Sequence, residues 1–242
     1  MTASLRKARW KLTTNEDASR IMECPGWLRP VEDLPTFDPF LNLDREARYM
    51  KAVKLPSYRI WRSNDSVVLG RFLQPNAEVR LSRAADLGVP ILRRPSGGGA
   101  VFHDLGNVNY SIYLPQGRMQ GFSIEESLLA LSFPITALLD SIGVPWSWEP
   151  PNNVCVLGRK ISGSAQARSG GRLLHHGTLL VSTDLDRMCQ LLKPGGRSRI
   201  APVVNLSEIV SGIMVKQAEA MMARTLNKMI VEPPQFDIAY AT

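Results

Sequence analysis

No stretch of this chain approaches the roughly eighteen consecutive apolar residues of a membrane-spanning helix. Nor does it carry the blocks of five or six like charges that mark a nucleic-acid-binding tail. Cysteine and histidine are both scarce. Cys24, Cys155 and Cys189 are an odd number with no metal-ligand spacing among themselves or with the three histidines, and read as reduced, buried thiols of an intracellular protein. The basic start, Met1 to Arg9, runs into the polar Thr13-Thr14-Asn15-Glu16-Asp17 instead of an apolar segment, so a secretory signal is not expected and the cytoplasm is. Internal repeats and low-complexity segments are missing as well.

What is present is a chain of 242 residues, 44% hydrophobic and 21% charged, the composition of an ordinary packed core in one large domain or two small ones. The net charge is +7. Its arginines and lysines are dispersed, apart from clusters at Arg6 to Lys11, Arg80 to Arg83 and Lys193 to Arg199. These read as solvated faces and a surface for an acidic partner rather than an RNA-binding stripe.

Strands and helices interleave in mixed order, which predicts an α+β (mixed α/β) domain rather than a doubly wound one. Tyr58 to Arg62 and Ser66 to Gly70, joined by the turn-forming Ser63-Asn64-Asp65, read as a hairpin. Val79 to Leu87 has helical spacing and stops at Gly88. Val108 to Leu114 alternates like a half-buried strand, with Asn109 and Ser111 on one face. Ser123 to Ile142 is predicted as a helix with Ser123 and Glu126 in a capping box, kinked or split by Pro134. Val154 to Leu157 and Leu173 to Val181 read as strands flanking Lys160 to Arg168. Leu206 to Lys228 reads as a helix interrupted by Gly212, and the prolines at 233 and 234 cannot continue it.

Two segments carry the chemistry: Arg93-Arg94-Pro95-Ser96-Gly97-Gly98-Gly99-Ala100-Val101-Phe102-His103-Asp104, and Gly158-Arg159-Lys160-Ile161-Ser162-Gly163-Ser164-Ala165-Gln166. Three glycines let the backbone approach a ligand closely and aim N–H groups at an oxyanion. The second segment would add a lysine cation. With His175-His176-Gly177-Thr178-Leu179-Leu180, and weaker echoes at Trp61, Val67 to Arg71 and Arg199 to Leu206, this ordered set resembles the lipoate-protein ligase family. That family belongs with the biotin-protein ligases and lipoyl/octanoyl transferases. The resemblance runs from about Phe40 to Met222.

The resemblance implies a mixed β-sheet flanked by helices, of the biotin/lipoate ligase catalytic type, over residues 40–242. Residues 1–39 would then be an N-terminal extension, partly packed through Trp10 and Trp27. It implies ATP and Mg²⁺ as cofactors and two steps: lipoate and ATP form lipoyl-adenylate, then the acyl group passes to a lysine of a lipoyl carrier domain. The carrier would be of the E2 type or like the glycine-cleavage H protein. Arg94, Gly97, Gly98, Gly99, Ala100, Val101, Phe102, Ala165 and Thr178 would hold the nucleotide. Ser96, His103, His176 and Gly177 would meet lipoate or octanoate, and Lys160 would bridge phosphate and acyl carbonyl as the catalytic cation.

Two departures stand out. Where the family usually has Asn-Asp, this chain has Asn152-Asn153, so a carboxylate suited to Mg²⁺ is replaced by the amide of Asn153. The sequence also stops at Thr242, soon after the catalytic region. No C-terminal accessory domain is therefore expected, and a separate polypeptide would supply that function if it is needed. Two other readings remain: a cysteine-dependent octanoyl or lipoyl transferase, for which Cys155 lies too near Lys160, and a non-catalytic carrier-binding or nucleic-acid-binding protein on the same fold.

Overall fold

The computed structural model describes residues 28–115, 122–194 and 202–228. The elements run β1 (Arg29–Pro30), α1 (Pro39–Ala52), β2 (Ser57–Trp61), β3 (Ser66–Leu69), α2 (Pro75–Glu78), α3 (Leu81–Asp86), β4 (Ile91–Arg93), β5 (Val101–His103) and β6 (Asn107–Leu114). They continue with α4 (Ile124–Leu131), α5 (Phe133–Ser141), β7 (Ser147–Glu149), β8 (Asn153–Val156), β9 (Arg159–Ser169), β10 (Arg172–Leu180), α6 (Leu185–Leu191), α7 (Leu206–Ile209) and α8 (Val215–Lys228).

Seven strands form one mixed sheet in the order β1-β2-β6-β10-β9-β8-β7, antiparallel except where β1 runs parallel to β2. A second, three-stranded sheet has the order β4-β3-β5. The fold is thus the expected α+β type, a mixed sheet flanked by helices. Successive strand residues face opposite sides, so Val108, Tyr110, Ile112 and Leu114 of β6 join α5 and α8 in the main core. Ser111 and Tyr113 look the other way, onto Glu46 and Met50 of α1. Every residue of β6 is buried. The half-buried strand predicted from sequence is therefore covered on both faces, because α1 closes the side that alternation assigns to solvent.

Residues 66–70 do not pair back on 58–62 as a hairpin. Asn42 donates to Arg62 O and Asn64 N to Phe37 O, which pulls the connection towards α1, and Ser66 pairs with His103 instead. The segment carrying Lys160 is itself a strand, β9, joined to β8 through Leu157 and Gly158, both with positive φ (51° and 71°). Positive φ at both central positions suits the twist of a two-residue hairpin turn. Pro134 splits the long helix at α4/α5. Gly88 and Gly212 end or interrupt helices where predicted.

Of the cysteines, Cys155 is buried, but Cys189 is exposed, because it lies on the outer side of the short helix α6. Just before α1, Arg29 and Pro30 join the main sheet, Leu28 is fully buried, and Asp33 accepts from Arg59 Nε at 2.8 Å. Trp10, Cys24, Trp27, Arg199 and the segment after Lys228 lie outside the described residues.

Candidate active site

The glycine loop is built around Arg94. Its guanidinium is buried and spent on the loop itself: Nε donates to Ser96 Oγ at 2.8 Å, Nη1 to Val68 O at 3.1 Å, and Nη2 to Gly97 O and Gly99 O, both at 2.7 Å. A trans peptide points C=O and the following N–H in opposite directions. Drawing Gly97 O towards the arginine therefore turns the N–H of Gly98 away from it. Gly98 has φ +86°, and a Cβ on Gly70 would fall 2.1 Å from Gly98 O, so β3 ends directly against the loop. Burial lowers the Arg94 pKa to about 10, with Glu46 opposing the shift, and leaves it charged at neutral pH.

Across a cavity of about 1050 Å³ stands Lys160 on β9. Its backbone is fixed on a side the sheet does not use: its N–H donates to Pro202 O at 2.7 Å and its carbonyl accepts from Val204 N at 2.9 Å. Its side chain lies over Gly163, where a Cβ would come within 2.6 Å of Nζ. Burial and then the charge of Arg94 lower its pKa below the ordinary lysine value, with Cys155 and Glu149 opposing. An anion entering the cavity would favour the charged form. Gly163→Ala is expected to push the amine aside and lower turnover by about tenfold or more through a displacement on the order of 1 Å, without unfolding; turnover equal to the parent's would show that the amine has no fixed position.

The structure brings nearly all the sequence-predicted residues to this cavity. Arg94, Gly98, Gly99, Ala100, Val101, Phe102, His103, Asn153, Lys160, Ala165, His176, Gly177 and Thr178 line it. Ser96 and Gly97 stand behind the loop, where they partner Arg94.

Sequence reasoning missed Glu46. This carboxylate of α1 is fully buried, and its two oxygens lie 2.9 and 3.0 Å from His176 Nδ1. Ser111 donates to it at 2.5 Å, and Trp61 Nε1 donates in turn to Ser111 Oγ at 2.9 Å. His176 Nε2 is 2.7 Å from Ser96 Oγ, so Ser96, His176 and Glu46 form a continuous chain from the glycine loop to α1. Burial alone would raise the Glu46 pKa; the charge and hydrogen bond of His176, the hydrogen bond of Ser111 and the charge of Arg59 outweigh it and lower it.

The other two histidines are held neutral. Burial, then the charge of Arg94, lowers His103 to about 3. Burial, then His176, puts His175 well below its ordinary value. Below pH 6.5 the unfolded chain therefore binds protons that the folded chain refuses. The stability these groups contribute is complete above pH 6.5 and is lost as pH falls. A loss of roughly 1.5 kcal/mol between pH 6.5 and 5 follows for His103 alone, and His175 adds in the same direction. Urea titrations across that range should show it, and a flat profile would contradict their buried, neutral state.

The model of the lipoyl protein ligase A/B catalytic domain matches residues 38–227. The chain belongs to this family. Among lipoate-protein ligase relatives, one bearing the lipoate-protein ligase A name from Aeropyrum pernix is 35% identical over 184 residues, covering 72% of this chain and 68% of its own. Another from Mycoplasma pneumoniae is 34% identical over 165 residues, covering 68% of this chain. The match spans about half of that relative, 48% of its length. The fold superposes on the bi-partite lipoate protein ligase of Thermoplasma acidophilum, described with its E2 lipoyl domain, at a TM-score of 0.74 with 26% identity, covering 86% and 84% of the two chains. A lipoate-protein ligase A bound with ATP gives 0.72 with 26% identity and 86% of each chain covered.

Proposed function

We propose that this protein is an ATP-dependent lipoate-protein ligase. It would activate lipoate as lipoyl-AMP and pass the lipoyl group to a lysine of a lipoyl carrier domain. The observation that carries the reading is the enclosed Lys160 amine facing a glycine loop across one cavity. In the first step the lipoate carboxylate attacks the α-phosphorus of ATP and pyrophosphate leaves. In the second, the carrier's amine attacks the acyl carbonyl and AMP leaves. Both transition states place negative charge between a phosphate oxygen and the carbonyl oxygen, where the Lys160 ammonium acts electrostatically. The outward N–H of Gly98 belongs to the same cradle.

Mg²⁺ binds through one or two carboxylates together with substrate phosphates. Glu149 lines this cavity, and the buried Oδ1 of Asn153 has no protein partner, so the donor set fits. These two residues would hold the ion, which supplies charge neutralisation at the phosphates when bound.

The thiol route finds no support in Cys155. Burial, then its hydrogen bond to Glu149 at 3.4 Å, raises this thiol to about 11, far from the thiolate that nucleophilic transfer requires. Cys155→Ser is expected to keep turnover within about threefold, since Ser replaces a small buried side chain; complete loss in a folded variant would revive that route.

The carrier is an E2-type or H-like lipoyl domain, with octanoate an alternative acyl group and a separate accessory polypeptide an added requirement to be tested. Among the described residues no helix is long and apolar enough to cross a membrane; cytoplasmic residence belongs to the proposal. The deciding experiment incubates a purified lipoyl domain with this protein and free lipoate, with and without Mg-ATP, and reads the intact mass. A lipoyl gain only with ATP is expected. A gain without ATP, or none when synthetic lipoyl-adenylate is supplied, contradicts the reading.

A further inference from the structure

The cavity's polar side chains are nearly all committed. Both ring nitrogens of His176 and the Nε1 of Trp61 have partners within the protein, as does the Arg94 guanidinium. Among the described residues, Asn109, on the sheet floor at the end away from Lys160, carries a buried donor that is not committed. It is 2% exposed and lines the cavity, and its Nδ2 is buried without a partner. Asn107 Nδ2 donates to Asn109 Oδ1 at 3.1 Å, which occupies the carbonyl side of the amide and leaves the N–H side over.

The sheet register says what reaches this donor. Asn109 pairs with Trp61 on one side and with Thr178 on the other, and Thr178 lies beside Gly163, the residue over which the Lys160 side chain runs. Adjacent strands are about 4.8 Å apart. Asn109 on β6 therefore stands two strands, roughly 10 Å, across the floor from β9. An acyl carbonyl hydrogen-bonded to Lys160 takes up about 3 Å of that span. Five further bonds, each advancing about 1.3 Å along an extended chain, cover most of the remaining span of roughly 7 Å, and the ring then brings the two sulfurs of a dithiolane to its end. A saturated eight-carbon acid brings a methyl group to the same place.

We propose that Asn109 is the residue that distinguishes a dithiolane-bearing acid from a plain fatty acid, its Nδ2–H donating to a ring sulfur. This rests on the ligase reading above. Divalent sulfur is a weak acceptor, but the comparison is with a C–H group that accepts nothing. Octanoate strips water from the amide and leaves the N–H buried and unpaired, while lipoate pairs it. A site that holds a donor in this way rejects the analogue lacking the acceptor.

The test is calorimetric binding of lipoate and of octanoate to the whole protein without ATP, for the parent, Asn109→Leu and Asn109→Ser. The parent is expected to prefer lipoate by about tenfold. Asn109→Leu should bring the two affinities together, chiefly by holding or tightening octanoate, while Asn109→Ser, which keeps a donor, should restore part of the preference. A purely structural role would weaken both acids alike in both variants, and an unmoved ratio overturns the inference on its own. A parent that binds neither acid overturns the ligase reading along with it.

Discussion

Lys160→Ala is expected to abolish both half-reactions, with adenylate formation and acyl transfer each falling by roughly 10²–10³-fold or more, the loss typical of one preorganised donor in a water-excluded site. The argument is geometric. The amine is the cation placed over Gly163 on one wall of the cavity, whereas the guanidinium on the opposite wall is consumed by loop carbonyls and cannot substitute. The fold should not suffer, since removing a half-buried amine relieves desolvation. Pyrophosphate release on lipoate addition, intact mass of the carrier and thermal melting together check this. Turnover within tenfold of the parent would sink the proposed mechanism. Lys160→Arg is expected to fail too, because a planar fork does not fit where a compact ammonium sits.

Glu46→Ala should have the largest effect on stability. Its carboxylate is the buried acceptor for His176 Nδ1 and the Ser111 hydroxyl, and it faces the Arg59 charge. Removing one partner of a buried ionic network typically costs about 3–5 kcal/mol, because the remaining polar groups stay buried and unpaired. For a chain of this size that is a drop of roughly 6–20 °C in melting temperature. Lipoate binding should weaken with it, since the chain of contacts through His176 and Ser96 ends at the glycine loop. Glu46→Gln, which keeps an acceptor but loses the charge, should fall between parent and alanine variant. A Glu46→Ala protein that melts with the parent would show that the network carries no load.

How much of this was readable from sequence follows from which signals are local. The glycine loop, the lysine segment and the capping box of Ser123 and Glu126 are written in contiguous residues, and the structure forms the cap as read. Helix α1 was not read at all. Its inward face is Asn42, Glu46 and Met50, spaced by fours, and two polar members hide the stripe that marks a buried helix. Glu46 is legible only once β10 and β6 bring His176 and Ser111 to it. The mistaken hairpin has a related cause: Tyr58 to Arg62 and Ser66 to Gly70 look alike as strands, and which of two sheets each joins depends on distant partners in β6 and β5. The segment around Arg94 marks it as a nucleotide-holding residue; it lines the cavity, but its inward bonds to Gly97 and Gly99 depend on a loop shape that residue types alone do not specify.

The clamp on the Lys160 backbone, from Pro202 and Val204, has a consequence for the order of events during synthesis. A chain emerging from the ribosome exposes the glycine loop and the lysine well before residue 204 is available, and domains form as units during elongation. The lysine therefore acquires its final backbone partners only once residue 204 has emerged, while Glu46 waits for a histidine that arrives 130 residues later. Activating an acid to a reactive anhydride in a half-made site would squander ATP. A site drawn from sequence positions as far apart as 46 and 204 would leave nascent fragments inert until the fold closes.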